Sequence, residues 1–106
     1  MPVVVVQCSC PDAETAARIA QVLVGERLAA CVQALPGVAS TYRWQGKVQV
    51  ADEMLLLIKT SRARLAALEA RLPDLHPYDL PEWIVLEAVG GLDRYLHWVE
   101  AETMPP

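Results

Sequence analysis

The sequence predicts an α+β domain with the element order βαββαβ and a short additional helix at the C-terminus. Three observations support this prediction. Apolar runs without helical periodicity alternate with stretches whose apolar residues recur at helical spacing. Two long extended runs meet at Gln45-Gly46, a two-residue turn that suits a β-hairpin. The 106 residues are enough for one modest core, so we expect a single domain over residues 1–106.

The first half of the chain is predicted to contain a strand, a helix and the first arm of the hairpin. Residues 3–8 are mostly apolar and β-branched, as in a buried strand. Asp12 is a suitable N-cap for the helix, on which Ala16 and Leu23 lie on one apolar face. Pro36-Gly37 interrupts the following arm, and a β-bulge there would accommodate the missing N–H donor.

The second half is predicted to complete the hairpin and add a helix, a strand and the final helix. Residues 47–60 would extend about 46 Å at ~3.3 Å per residue, whereas a compact domain of this size is only about 34 Å across. We therefore expect the hairpin to overhang its own domain. Ser61 is expected to cap the second helix, which Pro73 ends. Residues 83–86 form the fourth strand and residues 92–99 have helical spacing.

This order is the ferredoxin-like arrangement, an antiparallel sheet with helices on one face. A sheet covered on one face alternates apolar and polar residues, yet residues 3–6 and 54–58 are apolar throughout. Both faces of these strands therefore require burial. The chain is too short to build a second layer, so we expect identical subunits to cover the bare face.

Composition excludes several classes of function. Nine Lys and Arg against thirteen Asp and Glu give a net charge of -4, so we expect no nucleic-acid partner. The first residues lack a basic segment and a long apolar run, which predicts a cytoplasmic protein with no membrane partner. Three cysteines favour free thiols over a disulfide framework. Phosphate-loop, serine-hydrolase and zinc-protease motifs are absent, so we do not expect an enzyme.

Two segments carry the candidate chemistry. Residues 76–82 place an imidazole, a phenol and two carboxylates beside two prolines, which indicates a stiff loop that serves either as a site or as a plain connection. Cys8 and Cys10 lie where the first strand meets the first helix. A thiolate together with an imidazole suits copper or zinc, but the Cys-x-Cys spacing is a weak metal signal. Each cysteine is also consistent with a small buried hydrophobic residue.

Taken together, the motifs of the chain resemble those of the CutA divalent-cation tolerance proteins. The resemblance is carried by Ala29-Ala30-Cys31-Val32, Leu35-Pro36-Gly37-Val38, Ser40-Thr41-Tyr42-Arg43-Trp44-Gln45-Gly46-Lys47, Glu53, Lys59-Thr60, His76-Pro77-Tyr78-Asp79-Leu80-Pro81-Glu82 and Tyr95-Leu96-His97-Trp98. The resemblance implies a ferredoxin-like subunit in a homotrimer, similar in architecture to the PII signalling proteins. It also implies a role in the tolerance or homeostasis of copper and other divalent metal ions.

In that family copper binding is attached to the cysteine that ends the first strand and to a His-His pair ahead of Pro-Tyr. The matching positions here are Cys8 and Leu75-His76, so one ligand of the family pattern is absent. The resemblance thus implies Cys8 and His76 as ligands for copper or another divalent ion, with no required cofactor. Whether Cys10 takes part is left open by the sequence.

An alternative function is a PII-like signalling module that binds a small ligand in clefts between subunits. The candidate cleft residues are Tyr42, Glu53, Lys59 and Tyr78. Glu53 and Lys59 lie on the same face of the long hairpin arm, because their separation along the strand is even. An acylphosphatase-like enzyme has the same strand order but requires an Asn, and this chain contains none.

Overall fold

Four antiparallel strands and three α-helices form the fold in a computed structural model of the protein, which describes residues 2–105. The sheet order is β2-β3-β1-β4, so the predicted α+β class and ferredoxin-like order are confirmed. The elements are β1 (Val3–Cys10), α1 (Ala13–Gly25), β2 (Cys31–Trp44), β3 (Lys47–Ser61), α2 (Leu65–Arg71), β4 (Ile84–Glu87) and α3 (Asp93–Glu102). One 3-10 turn precedes α2 and another follows it.

The β2–β3 hairpin is the longest feature of the molecule. Its turn has φ angles of 50° at Gln45 and 79° at Gly46, the left-handed pair that a tight two-residue hairpin requires. The predicted bulge is also confirmed, because the register shifts between Leu35 and Val38, and Gly37 there has a φ of 74°. The extents of 44 × 27 × 22 Å confirm that the hairpin makes the subunit elongated.

The main core lies between the sheet and helices α1 and α2. Asp12 caps α1 as predicted, because its Oδ1 accepts a 2.8 Å hydrogen bond from the backbone N–H of Thr15. Alternate residues of β1 and β3 point toward these helices. The fully buried members of this core include Val6, Cys8, Cys10, Ile19, Leu23, Leu56, Ile58 and Leu68.

Helix α3 lies on the opposite face, so the prediction that all helices share one face was wrong for it. Val3 and Ser61 pair across β1 and β3 and point away from the main core. Val3 packs there against Leu96 and Val99 of α3. The predicted capping role of Ser61 was also wrong, because its hydroxyl makes no cap and instead lies 2.9 Å from the hydroxyl of Thr103.

The remainder of that side is called the open face, meaning the sheet surface opposite α1 and α2 that α3 leaves uncovered. Strand register places Val5, Leu55 and Leu57 on it, and all three are only partly buried. Ile84 and Leu86 of β4 extend it and are 48% and 46% exposed. The open face is therefore largely apolar, as the unalternated strands predicted.

Candidate functional site

A cavity of about 1000 Å³ opens on the open face, between the outer half of the hairpin and residues 77–84. The bulge in β2 and the even spacing of β3 bring side chains of both arms to this side. The segment after α2 folds back and forms the other wall. The lining residues are Ser9, Ser40, Thr41, Tyr42, Trp44, Gln49, Glu53, Pro77, Tyr78, Asp79, Leu80, Pro81, Glu82, Trp83 and Ile84.

Glu53 and Tyr78 join the two walls of the cavity. The Tyr78 phenol donates a 2.9 Å hydrogen bond to Oε2 of Glu53, whose side chain is buried with 8% exposure. Partial burial and this hydrogen bond to the carboxylate raise the pKa of Tyr78 to about 12. The phenol therefore remains a hydrogen-bond donor at neutral pH.

His76 is buried, and hydrogen bonds engage both of its ring nitrogens. Nε2 lies 2.7 Å from the carbonyl oxygen of Ser9, and the backbone N–H of Tyr78 donates to Nδ1 across 3.1 Å. A carbonyl oxygen can only accept and a backbone N–H can only donate, so these contacts select the neutral ring with its proton on Nε2. In this arrangement His76 has no free lone pair for a metal ion.

Cys8 reaches the same backbone carbonyl from β1. Its Sγ makes a long 3.7 Å contact with the Ser9 oxygen, and the side chain has no exposed surface. Burial, with smaller contributions from the nearby Cys10 and two carboxylates, raises the pKa of the Cys8 thiol to about 12. Cys10 is likewise fully buried, and burial raises its pKa. Both thiols are therefore protonated at neutral pH.

The two predicted metal ligands, Cys8 and His76, are neighbours through the Ser9 carbonyl, but they do not form a prepared coordination site. A metal ion would require Cys8 to lose its proton and His76 to release one hydrogen bond. Within residues 2–105 the structure contains no group of three or more His, Cys, Asp or Glu residues placed to hold a metal ion.

Three of the four predicted cleft residues, Tyr42, Glu53 and Tyr78, line the cavity together. Lys59 shares the open face but lies outside the cavity, because six positions of extended strand separate it from Glu53 by about 20 Å. The Lys59 ammonium instead lies 5.6 Å from the ring centroid of Tyr95 on α3. The four predicted cleft residues therefore do not form one site: three line the cavity, and Lys59 lies near α3 on the same open face.

The cavity also includes Trp44, Asp79, Glu82 and Trp83, none of which is among the four residues predicted for the cleft. Asp79 and Glu82 belong to the stiff segment, residues 76–82, that the sequence singled out as a possible site. Trp83 was predicted to start the fourth strand, but β4 begins one residue later. Its place in the wall depends on how the segment folds back.

The fold and the cavity define an α+β protein of ferredoxin-like topology that carries a ligand-sized recess beside an overhanging hairpin. More specifically, the chain belongs to the CutA1 divalent ion tolerance protein family, whose model matches residues 4–102. Its sequence is 46% identical to the divalent-cation tolerance protein CutA of Thermus thermophilus, over 93% of this chain and 96% of the relative. It is 43% identical to a chloroplastic CutA protein of Arabidopsis thaliana, over 97% of this chain.

The chain spans 57% of the length of the Arabidopsis relative. Among solved structures, CutA from Xylella fastidiosa superposes with a TM-score of 0.95 at 48% identity, covering 98% of this chain and 100% of the other. None of the helices within residues 2–105 has the length and apolar character needed to cross a bilayer.

Proposed function

We propose that the chain acts in divalent-cation tolerance as a single-domain, non-enzymatic homotrimer. The observation that carries this proposal is the family match over residues 4–102, together with relatives named for divalent-cation tolerance. A cytoplasmic location stays a prediction, because the Arabidopsis relative is named chloroplastic.

The exposed apolar surface supports the assembly part of the proposal. The open face carries Leu57, Ile84 and Leu86 without a covering layer from this subunit. On the overhanging hairpin, Val48 and Val50 are 63% and 68% exposed. Burial of apolar surface stabilises an assembly by about 25 cal/mol per Å². In a symmetric trimer every subunit can bury the same apolar surface against a neighbour.

The proposed metal contact is Cys8 with a contribution from His76, and copper is the favoured ion. Binding should be weak, because it must displace the proton of a buried thiol and one hydrogen bond of the imidazole. A weak site of this kind would be occupied only when the metal ion is abundant.

The experiment is calorimetric titration of copper into the wild type, Cys8→Ala and His76→Ala, with zinc as a redox-inert arm. Cys31→Ser is the matched control, because Cys31 is the partly exposed thiol in β2. Binding should be lost in Cys8→Ala, weakened in His76→Ala and unchanged in the control. Equal binding by all four folded proteins would show that the metal lies elsewhere.

The cavity favours a second candidate function, a PII-like module that binds a small ligand between subunits. Tyr42, Glu53 and Tyr78 converge there, and Glu53 is a buried acidic group in a recess of ligand size. Lys59 is not part of this proposed ligand site, because it does not line the cavity. The chemistry of the lining indicates which ligands to test.

A further inference from the structure

The cavity on the open face has an unusually one-sided chemistry. Its lining contains three carboxylates, Glu53, Asp79 and Glu82, and four aromatic side chains. Among residues 2–105, no lysine, arginine or histidine contributes to the lining. Lys47, which pairs with Trp44 at the hairpin tip, is also outside it. The recess is therefore negative and aromatic, without an internal cation to balance it.

Glu53 is the part of this lining that most clearly requires a partner. It is more than nine-tenths buried, and one oxygen accepts the hydrogen bond from Tyr78. Within residues 2–105 no basic side chain forms an ion pair with it. The other carboxylate oxygen has no hydrogen-bond partner there and is not fully enclosed, so it remains accessible from the cavity. A buried carboxylate is stabilised by a cation at such a position.

The aromatic side chains decide what kind of cation fits. Tyr42, Trp44, Tyr78 and Trp83 line the same recess as Glu53. Aromatic rings attract ammonium groups through their faces, whereas hard metal ions take carboxylate, carbonyl and water oxygens and not neutral phenols. The carboxylates of the cavity also belong to no group of three acidic, His or Cys residues placed to hold a metal within residues 2–105.

We propose that the cavity beside the hairpin binds an organic ammonium ion, with Glu53 contacting the charged group and the aromatic side chains surrounding its carbon substituents. This inference rests on the second candidate function, small-ligand binding at the cavity, and specifies the ligand class. It concerns a different site from the copper contact at Cys8 and His76, which are both buried and do not line the recess.

The test compares three probes of one shape and different charge, namely benzylammonium, benzyl alcohol and benzoate, by NMR titration of the full chain at neutral pH. Benzylammonium should shift the signals of the cavity residues and bind about tenfold more tightly than benzyl alcohol, a difference of about 1.4 kcal/mol. Benzoate should not bind. Equal binding of the ammonium ion and the alcohol would overturn the proposal.

Variants assign the site to its residues. Glu53→Gln keeps an acceptor for Tyr78 and should weaken benzylammonium binding about tenfold. Tyr42→Leu should weaken it by about two- to fivefold, the range expected for one exposed cation–π contact. Glu14→Gln removes an exposed carboxylate from α1 and is the matched control, with no change expected. Unchanged binding in folded Glu53→Gln would contradict the assignment.

Two further measurements distinguish ammonium binding from metal binding at the cavity and from trimer assembly. If Mg²⁺ shifts the cavity signals, fails to do so in Glu53→Gln, and benzylammonium does not bind, the cavity is a metal site and the inference is wrong. Light scattering on the same samples reports assembly independently. If the protein is a monomer and binds benzylammonium, the trimer proposal is wrong and the ammonium site is supported. If it is a trimer and does not bind benzylammonium, the ammonium site is wrong and the trimer proposal is supported.

Discussion

The phenol of Tyr78 donates a hydrogen bond to the carboxylate of Glu53 across 2.9 Å, although the two residues are 25 positions apart in the chain. This contact attaches the proline-rich segment after α2 to the middle of β3. It also joins the two walls of the cavity, because Glu53 lines one wall and Tyr78 the other. The same contact partly satisfies a buried carboxylate with which no basic side chain of residues 2–105 forms an ion pair.

Tyr78→Phe should destabilise the protein by about 1–3 kcal/mol, because a buried carboxylate loses its donor. Chemical denaturation followed by circular dichroism measures the change. In a Glu53→Gln background the same substitution should cost less, about 0.5–1.5 kcal/mol, since the remaining acceptor is neutral. Identical costs in the two backgrounds would mean that the hydrogen bond contributes nothing specific to stability.

The wild type should be a trimer at micromolar concentration, and Leu57→Glu should dissociate it by placing a charge on the open face. Light scattering after size exclusion gives the mass. Val24→Glu is the control, because Val24 is 43% exposed on α1, on the other side of the sheet. That variant should remain trimeric. A stable folded monomer of the wild type would refute the assembly.

The hairpin turn offers a prediction of increased stability. Gln45 adopts a φ of 50°, a left-handed conformation that Asn tolerates better than Gln. Gln45→Asn should raise the free energy of unfolding by up to about 1 kcal/mol. Gly46→Ala, at a φ of 79°, should lower it by about 1 kcal/mol. If both variants unfold like the wild type, the turn is not held in this conformation.

The helix cap at Asp12 predicts a dependence of stability on pH. Hydrogen bonds from Thr15 lower the pKa of the Asp12 carboxyl below its ordinary value. The cap therefore stabilises the fold above the unfolded pKa of about 3.9, and this stabilisation disappears as the pH falls through the lower folded pKa. Asp12→Asn keeps an acceptor but cannot titrate, so its thermal midpoint should fall less steeply in acid.

Asp52→Asn is the matched control for that measurement, because Asp52 is an exposed carboxyl on β3 that caps no helix. Its acid profile should follow that of the wild type. Parallel profiles for Asp12→Asn and the wild type would instead indicate that acid sensitivity arises from other carboxyl groups.

The sequence by itself determined the elements of this protein and their order. Asp12 identified the start of α1, Pro36-Gly37 the bulge and Gln45-Gly46 the turn, and the structure confirmed all three. Each of these features depends on backbone preferences or hydrogen bonds within a few residues. Local chemistry of this kind is fully present in the chain before it folds. The family resemblance was also readable at this level, because it rests on ordered motifs.

Only the tertiary structure decided which side chains share a site. It separated Lys59 from Glu53, although both occupy one face of β3, and it placed α3 on the side where Ser61 lies. It also joined the His76 ring to the carbonyl of Ser9, 67 positions away, which engages one of the two ring nitrogens. Such contacts depend on strand register and on where a segment folds back. Those are properties of the whole packed chain, so no local pattern could reveal them.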